Sequence, residues 1–153
     1  MPAPPSRPVF VSSLAYRDPR AALTWLRDAF GFEPSEVLSD AEGNIVHAEM
    51  THGDGVIMIG TEWEDWTRSP ATLGGKNTQR IRVHLDGGID DHCARSRRAG
   101  ASIVKEPQDQ FYGERTYVAT DPEGHYWTFS QPLRAVSREE MEEATGFRFE
   151  VLR

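Results

Sequence analysis

The chain states one pattern twice. Residues 9–16 form a short apolar strand that leads through Arg17-Asp18-Pro19 into an amphipathic helix closed by Gly31. Further along, residues 81–85 lead through Asp86-Gly87-Gly88 into a second helix of similar length closed by Gly100. Each helix is followed by a strand and then by a hairpin with a glycine-marked turn. That turn is His52-Gly53-Asp54-Gly55 in the first half and Asp121-Pro122-Glu123-Gly124 in the second. An internal repeat fixes architecture before any local propensity does. The spacing is too long for a solenoid unit, so the pattern predicts an α+β fold of two paired β-α-β-β-β modules. Function then belongs where the two sheets face each other.

A chain of 153 residues suits one domain built from two small modules with a shared core. We expect modules over 8–61 and 79–132, together a single domain over 8–132, and a helical tail over 133–153. The net charge of -7 argues against nucleic-acid or anionic-membrane partners, which want a basic face. The lone Cys93 rules out an intramolecular disulfide framework and suits a reducing cytosol. No apolar run approaches the roughly 20 residues of a membrane span, and the proline-rich start lacks the apolar region of a signal peptide. The expectation is a soluble, cytoplasmic protein.

The first helix is predicted over 19–30. Asp18 can cap it, Pro19 suits its first turn, and Ala22, Leu26, Ala29 and Phe30 share one face with Leu23 beside them. The second, over 89–99, has only a thin stripe of Ile89, Cys93, Ala94 and Arg97, and rests on the repeat as much as on periodicity. Strands are expected at 33–38 and 101–105, and hairpins at 45–51 with 56–60 and 114–120 with 125–131. Two long loops interrupt this. Residues 61–79 hold Trp63 and Trp66, and residues 106–113 hold Gln110, Phe111 and Tyr112; such loops are binding loops and lids, or mere linkers. Ser137-Arg138-Glu139-Glu140 has the form of a capping box and starts a short acidic helix on the outside.

Side chains alternate along a strand, so each hairpin sorts into two faces once its turn length is assumed. Turns of two or four residues put Val46, Ala48, Met50, Ile57 and Ile59 under the first helix. Thr116, Val118, Trp127 and Phe129, with Ile81, Val83 and Leu85, go under the second. The other face then collects His47, Glu49, Val56 and Met58 from the first module. From the second it takes Arg80, Arg82, His84, Arg115, Tyr117, Ala119, Tyr126 and Thr128. The plain reading is the solvated side of an antiparallel sheet. The repeat favours a second reading, in which the two polar faces curl into a cleft. His52, His92 and His125 fall in a turn, on a helix and just past a turn, where solvation is expected.

These residues resemble a known group. The strand-Asp-helix-Gly pattern of residues 16–32, the segment His47-Ala48-Glu49-Met50, and Gln110-Phe111-Tyr112-Gly113 followed by Asp121-Pro122-Glu123-Gly124-His125 are similar to the vicinal-oxygen-chelate superfamily. That group includes glyoxalase I, extradiol dioxygenases and bleomycin-resistance proteins, and the resemblance runs from about Val9 to Pro132. It implies metal ligands at four inward positions, on the first and last strand of each module. Those positions fall on Val11, Met58, Arg80 and Thr128, none of them a ligand for a divalent ion. A displaced site on His47, Glu49 and His84 is the alternative, although an arginine-rich cleft repels a dication.

The resulting expectation is a metal-independent protein without a cofactor, binding a small anionic or aromatic molecule in an inter-module cleft. Met58, Arg80, Arg82, Arg115, Tyr117, Tyr126 and Thr128 would line that cleft, with Trp63 and Trp66 above it. Arg presents a planar fork suited to carboxylate or phosphate, and tyrosine offers a flat apolar surface. The competing reading is a lyase or isomerase in which His47 or His84 works with Glu49 as acid–base partner. A duller one is a protein whose cleft is closed by side chains. Alternatively the arginines pair with Glu49, Glu62, Glu64 and Asp109 and leave a neutral pocket. A homodimer is expected, implied by the resemblance and by two indoles that need burial.

Overall fold

The computed structural model describes residues 1–4 and 6–152, so the final residue of the expected tail lies outside it. The first module comprises β1 (Ser12–Tyr16), α1 (Pro19–Phe30), β2 (Glu33–Ser39), β3 (Ile45–His52) and β4 (Gly55–Thr61). The second comprises β5 (Arg80–His84), α2 (Ile89–Arg98), β6 (Ser102–Asp109), β7 (Glu114–Thr120) and β8 (Tyr126–Pro132), and α3 (Arg138–Thr145) follows. The four-stranded sheets have equivalent orders, β1-β4-β3-β2 and β5-β8-β7-β6. In each, the first strand runs parallel to the last and the remaining pairs are antiparallel.

Local chemistry sets the helix ends. The Asp18 carboxylate accepts from the Ala21 N–H at 3.0 Å, Pro19 occupies the first turn, and Gly31 closes the helix at φ 82°. α2 has no side-chain cap, but Asp90 and Asp91 in its first turn and Arg95, Arg97 and Arg98 in its last complement the helix dipole. In α3 the Ser137 hydroxyl accepts from the Glu140 N–H at 3.1 Å, and no α3 residue is buried. β6 runs through the first half of what reads as a loop over 106–113, because register shifts around Lys105 and Gln108 let the strand continue past Pro107.

One face assignment is corrected. β7 pairs Tyr117 with Phe129 and Ala119 with Trp127, so these four share the face beneath α2, and Thr116 and Val118 face away. The connection spans five residues rather than four. The Asp121 carboxylate accepts the backbone N–H of both Glu123 and His125, which holds His125 in the turn. An odd turn reverses the parity of the pairing, and every β7 side chain changes face. In the first hairpin His52 pairs with Gly55 across a two-residue turn, and Ala48, Met50, Ile57 and Ile59 are buried as expected. Val46 is the exception: the β2–β3 pairing slips between Leu38 and Ser39, so Ile45 takes the buried place at the start of β3 and Val46 is exposed.

The modules share one core. Phe30, the last residue of α1, is fully buried against the second sheet, 4.7 Å from the ring of Phe129 and 5.4 Å from that of Trp127. α1 packs on α2, where Trp25 donates to the Ala99 carbonyl at 2.7 Å and Arg95 donates to the carbonyls of Asp28 and Arg27. The helix-covered faces of both sheets therefore meet in a single hydrophobic cluster. Their opposite faces lie on the far side of each sheet from that shared core.

His92 departs from its expected solvation. Its Nε2 donates to the Phe30 carbonyl at 2.9 Å, which leaves Nδ1 to accept from the Tyr117 hydroxyl at 2.6 Å. Burial, with smaller contributions from His52 and Arg95, pushes the imidazole pKa down. Burial likewise lowers that of His52, and His125 donates to the Ala15 carbonyl at 2.8 Å. A depressed histidine pKa means that the unfolded chain binds the proton more readily. Stability should be full above the unfolded value of about 6.5 and decline as pH falls toward the folded one. Urea unfolding at pH 7.5 and 5.5 checks this. His92→Gln should flatten the decline, and an unchanged slope would remove His92 as its source.

Candidate functional site

The outward face of the first sheet carries Ser13 of β1 beside Met58 of β4, and Met58 beside Glu49 of β3, with His47 two positions along. The outward face of the second carries Arg80 beside Tyr126, Arg82 beside Thr128 and His84 beside Ser130. Because the helix-covered faces meet in the core, these two surfaces do not face each other across one broad cleft as expected; within a single chain they share a concavity only at one edge, by Ser13, Arg80 and Tyr126. Helix-against-helix packing is what turns them outward.

A concavity does exist between the modules, where the edge of β1 passes β5. This groove of about 310 Å³ is bordered by Ser13, Trp66, Arg68, Lys76, Arg80 and Tyr126. It gathers three residues chosen from the sequence: Trp66, Arg80 and Tyr126. Arg68 and Lys76 were missed; they sit in an aperiodic loop, and the only signal is their closeness in sequence to Trp66. Trp66 is 77% exposed and meets Trp63 edge-on at 5.4 Å. The loop is pinned near its middle, where Ser69 is buried and its hydroxyl donates to the Glu123 carboxylate at 2.7 Å. The same carboxylate accepts the backbone N–H of Arg17 and Asp18.

The other candidates are placed elsewhere. Tyr117 is fully buried under α2, where burial raises its phenol pKa, and it cannot touch a ligand on the outward face. Arg115 points to the same side and donates to Asp90 and Asp109 at 2.9 and 2.8 Å, as the neutral-pocket reading anticipated for Asp109. Arg82 bonds Glu114 at 3.2 Å and lies 6.0 Å over the Tyr112 ring. Thr128 is buried and Met58 half-buried on their outward faces. Arg80, in contrast, has no ion-pair partner among the described residues.

His47, Glu49 and His84 are not assembled. His84 shares a 2.8 Å hydrogen bond with Ser130 on the second sheet, while Glu49 on the first accepts from Arg7 at 3.1 Å. Among the described residues no three His, Cys, Asp or Glu side chains are grouped to hold a metal ion. Val11 precedes β1, and the strand residues beside Met58 and Thr128 are Ser13 and Arg82. Neither this set nor the one read from the sequence offers the imidazole, thiolate or carboxylate donors that a catalytic divalent ion requires. The residues present do not fit such an ion.

The sequence pattern of the Glyoxalase/Bleomycin resistance protein/Dioxygenase superfamily matches residues 9–129. TioX from Micromonospora sp. ML1 is 38% identical, with a TM-score of 0.68 over 84% of this chain and 100% of its own. TnmS3, an antibiotic binding protein from Streptomyces sp. CB03234, shares the fold at 18% identity, with a TM-score of 0.61 over 80% of this chain and 93% of its own. A Mycobacterium tuberculosis H37Rv protein is 27% identical over 142 residues, which are 90% of this chain and 82% of that protein. With its duplicated β-α-β-β-β modules and a family pattern spanning both of them, the chain belongs to the Glyoxalase/Bleomycin resistance protein/Dioxygenase superfamily.

Proposed function

We propose that this protein is a metal-independent binder of a small molecule carrying an anionic group and a planar or aromatic part. The observation that carries the reading is the inter-module groove, where the Trp66 and Tyr126 rings stand beside Arg80, Arg68 and Lys76. Flat apolar surfaces next to unneutralised guanidinium are the chemistry of aromatic carboxylate or phosphate recognition. Arg68 is held by Asp65 at 2.6 Å, which leaves Arg80 as the stronger anchor. The lack of metal-ligand donors at the family's ligand positions supports binding over Lewis-acid chemistry. The fold likeness to TnmS3, an antibiotic binding protein, accords with sequestration.

The reading includes a homodimer. Two outward faces and two exposed indoles in one chain are surfaces that a second copy would cover. Titration calorimetry with a panel of aromatic carboxylates, neutral aromatics and cationic aromatics tests the proposal, with light scattering on the same samples. Arg80→Ala should weaken an anionic ligand by about 1.5–3 kcal/mol, the scale of a charge-assisted hydrogen bond. Arg115→Ala, on the helix-covered side, should leave that affinity unchanged. If only neutral or cationic compounds bind, indifferent to Arg80→Ala, the reading fails.

A further inference from the structure

Glu49 presents a different chemistry. It is the carboxylate at the middle of the first sheet's outward face, and its side chain is only 9% exposed. Across the ladder it faces Glu36 of β2 on one side and Met58 of β4 on the other. Burial penalises an unpaired charge, and like charges directly opposite on a sheet repel, so this place in the sheet calls for a cation. The cation present is Arg7, from the segment that precedes β1 and belongs to neither sheet. Its hold is slight. A single Nη1–H reaches Glu49 Oε1 at 3.1 Å, the guanidinium side chain is 63% exposed, and the two-pronged geometry of a strong arginine–carboxylate pair is absent.

We infer that Glu49 is the anchor of a cation-recognition site for the guanidinium or primary ammonium group of a small molecule, and that Arg7 is a tethered stand-in for that group. The site is separate from the groove at Arg80 and does not depend on the reading given for it. A buried carboxylate is maintained by whichever cation reaches it. A ligand that brings its own cation replaces a monodentate, water-exposed contact and releases the Arg7 side chain. Met58 supplies an apolar wall for the carbon chain that bears the cation.

Agmatine, a short chain with a guanidinium at one end and an ammonium at the other, is a suitable probe. Calorimetric titration of the full chain should give binding about tenfold tighter for R7A than for wild type, because a tethered competitor lowers the fraction of competent sites. Binding should be lost in R7A/E49Q. Equal affinity in wild type and R7A, or retention in R7A/E49Q, overturns the inference. If R7A does not fold, the wild-type chain still decides. The Arg7 Nε–Hε resonance should move toward its free-arginine position as agmatine is added, and should already lie there in E49Q. A resonance unmoved by agmatine and unchanged in E49Q overturns the inference equally. Failure of the anionic panel at Arg80 would leave this result standing, and the converse also holds.

Discussion

Replacing Phe30 with alanine should lower the unfolding free energy by about 3–5 kcal/mol, the range for deleting a fully buried aromatic ring. Phe30 is 0% exposed and its ring contacts Trp25, Phe129 and Trp127 at centroid distances of 4.9, 4.7 and 5.4 Å. It belongs to one module by sequence and to both by packing, so its loss opens a void where they dock. A domain of this size is stable by only about 5–15 kcal/mol, so the effect is a large share of the total. Urea unfolding followed by tryptophan fluorescence measures it. A loss below about 1.5 kcal/mol would show that the modules are held mainly by other contacts.

Asp121→Ala should be comparably damaging for a different reason. The carboxylate is buried and accepts four hydrogen bonds: from the Tyr16 hydroxyl at 2.7 Å, Trp127 Nε1 at 3.1 Å, and the backbone N–H of Glu123 and His125 at 3.0 and 3.1 Å. Alanine leaves these donors without an acceptor, and each buried unsatisfied donor costs about 1–3 kcal/mol. Because the four act as one network, we expect a combined loss of about 3–5 kcal/mol rather than their sum. Asp121→Asn retains one acceptor oxygen and should lose less, and Tyr16→Phe, which removes one donor and leaves no orphan on Tyr16, least. Chemical denaturation of the three variants checks that order. Equality of Asp121→Ala and Tyr16→Phe would mean that solvent replaces the carboxylate.

The repeat made much of this fold readable before any coordinates. α1 has the predicted limits because Asp18, Pro19 and Gly31 are each chemically suited to a helix end. The first hairpin was legible because Gly53-Asp54 is a two-residue turn with fixed parity. The second was not, since Asp121-Pro122-Glu123-Gly124-His125 reads as four turn residues and a strand start. Only the two N–H groups bound by Asp121 reveal the fifth, and with it Tyr117 and Arg115 leave the ligand side. The docking of α1 on α2 was also hidden. It depends on Phe30, Trp25 and His92 meeting across long sequence separations, and no local pattern encodes which helix sides touch. Of the candidate residues, Trp66, Arg80 and Tyr126 border one groove, while Arg68 and Lys76 come from a loop without periodicity.

The back-to-back placement of the two outward faces bears on dosage. If both outward faces are recognition surfaces, a single copy, which turns the reverse sides of both sheets into one core, would not close the two faces around the same guest. Full enclosure between a first-module face and a second-module face would then need another copy, and a symmetric pairing would create two enclosures at once. At low abundance the number of enclosures would then rise with the square of the number of chains rather than in proportion to it. A cell making a few copies would have almost no closed sites, and a modest rise in expression would bring them into being together. The chain's own concentration would thus set a threshold for capture, without any modification or effector.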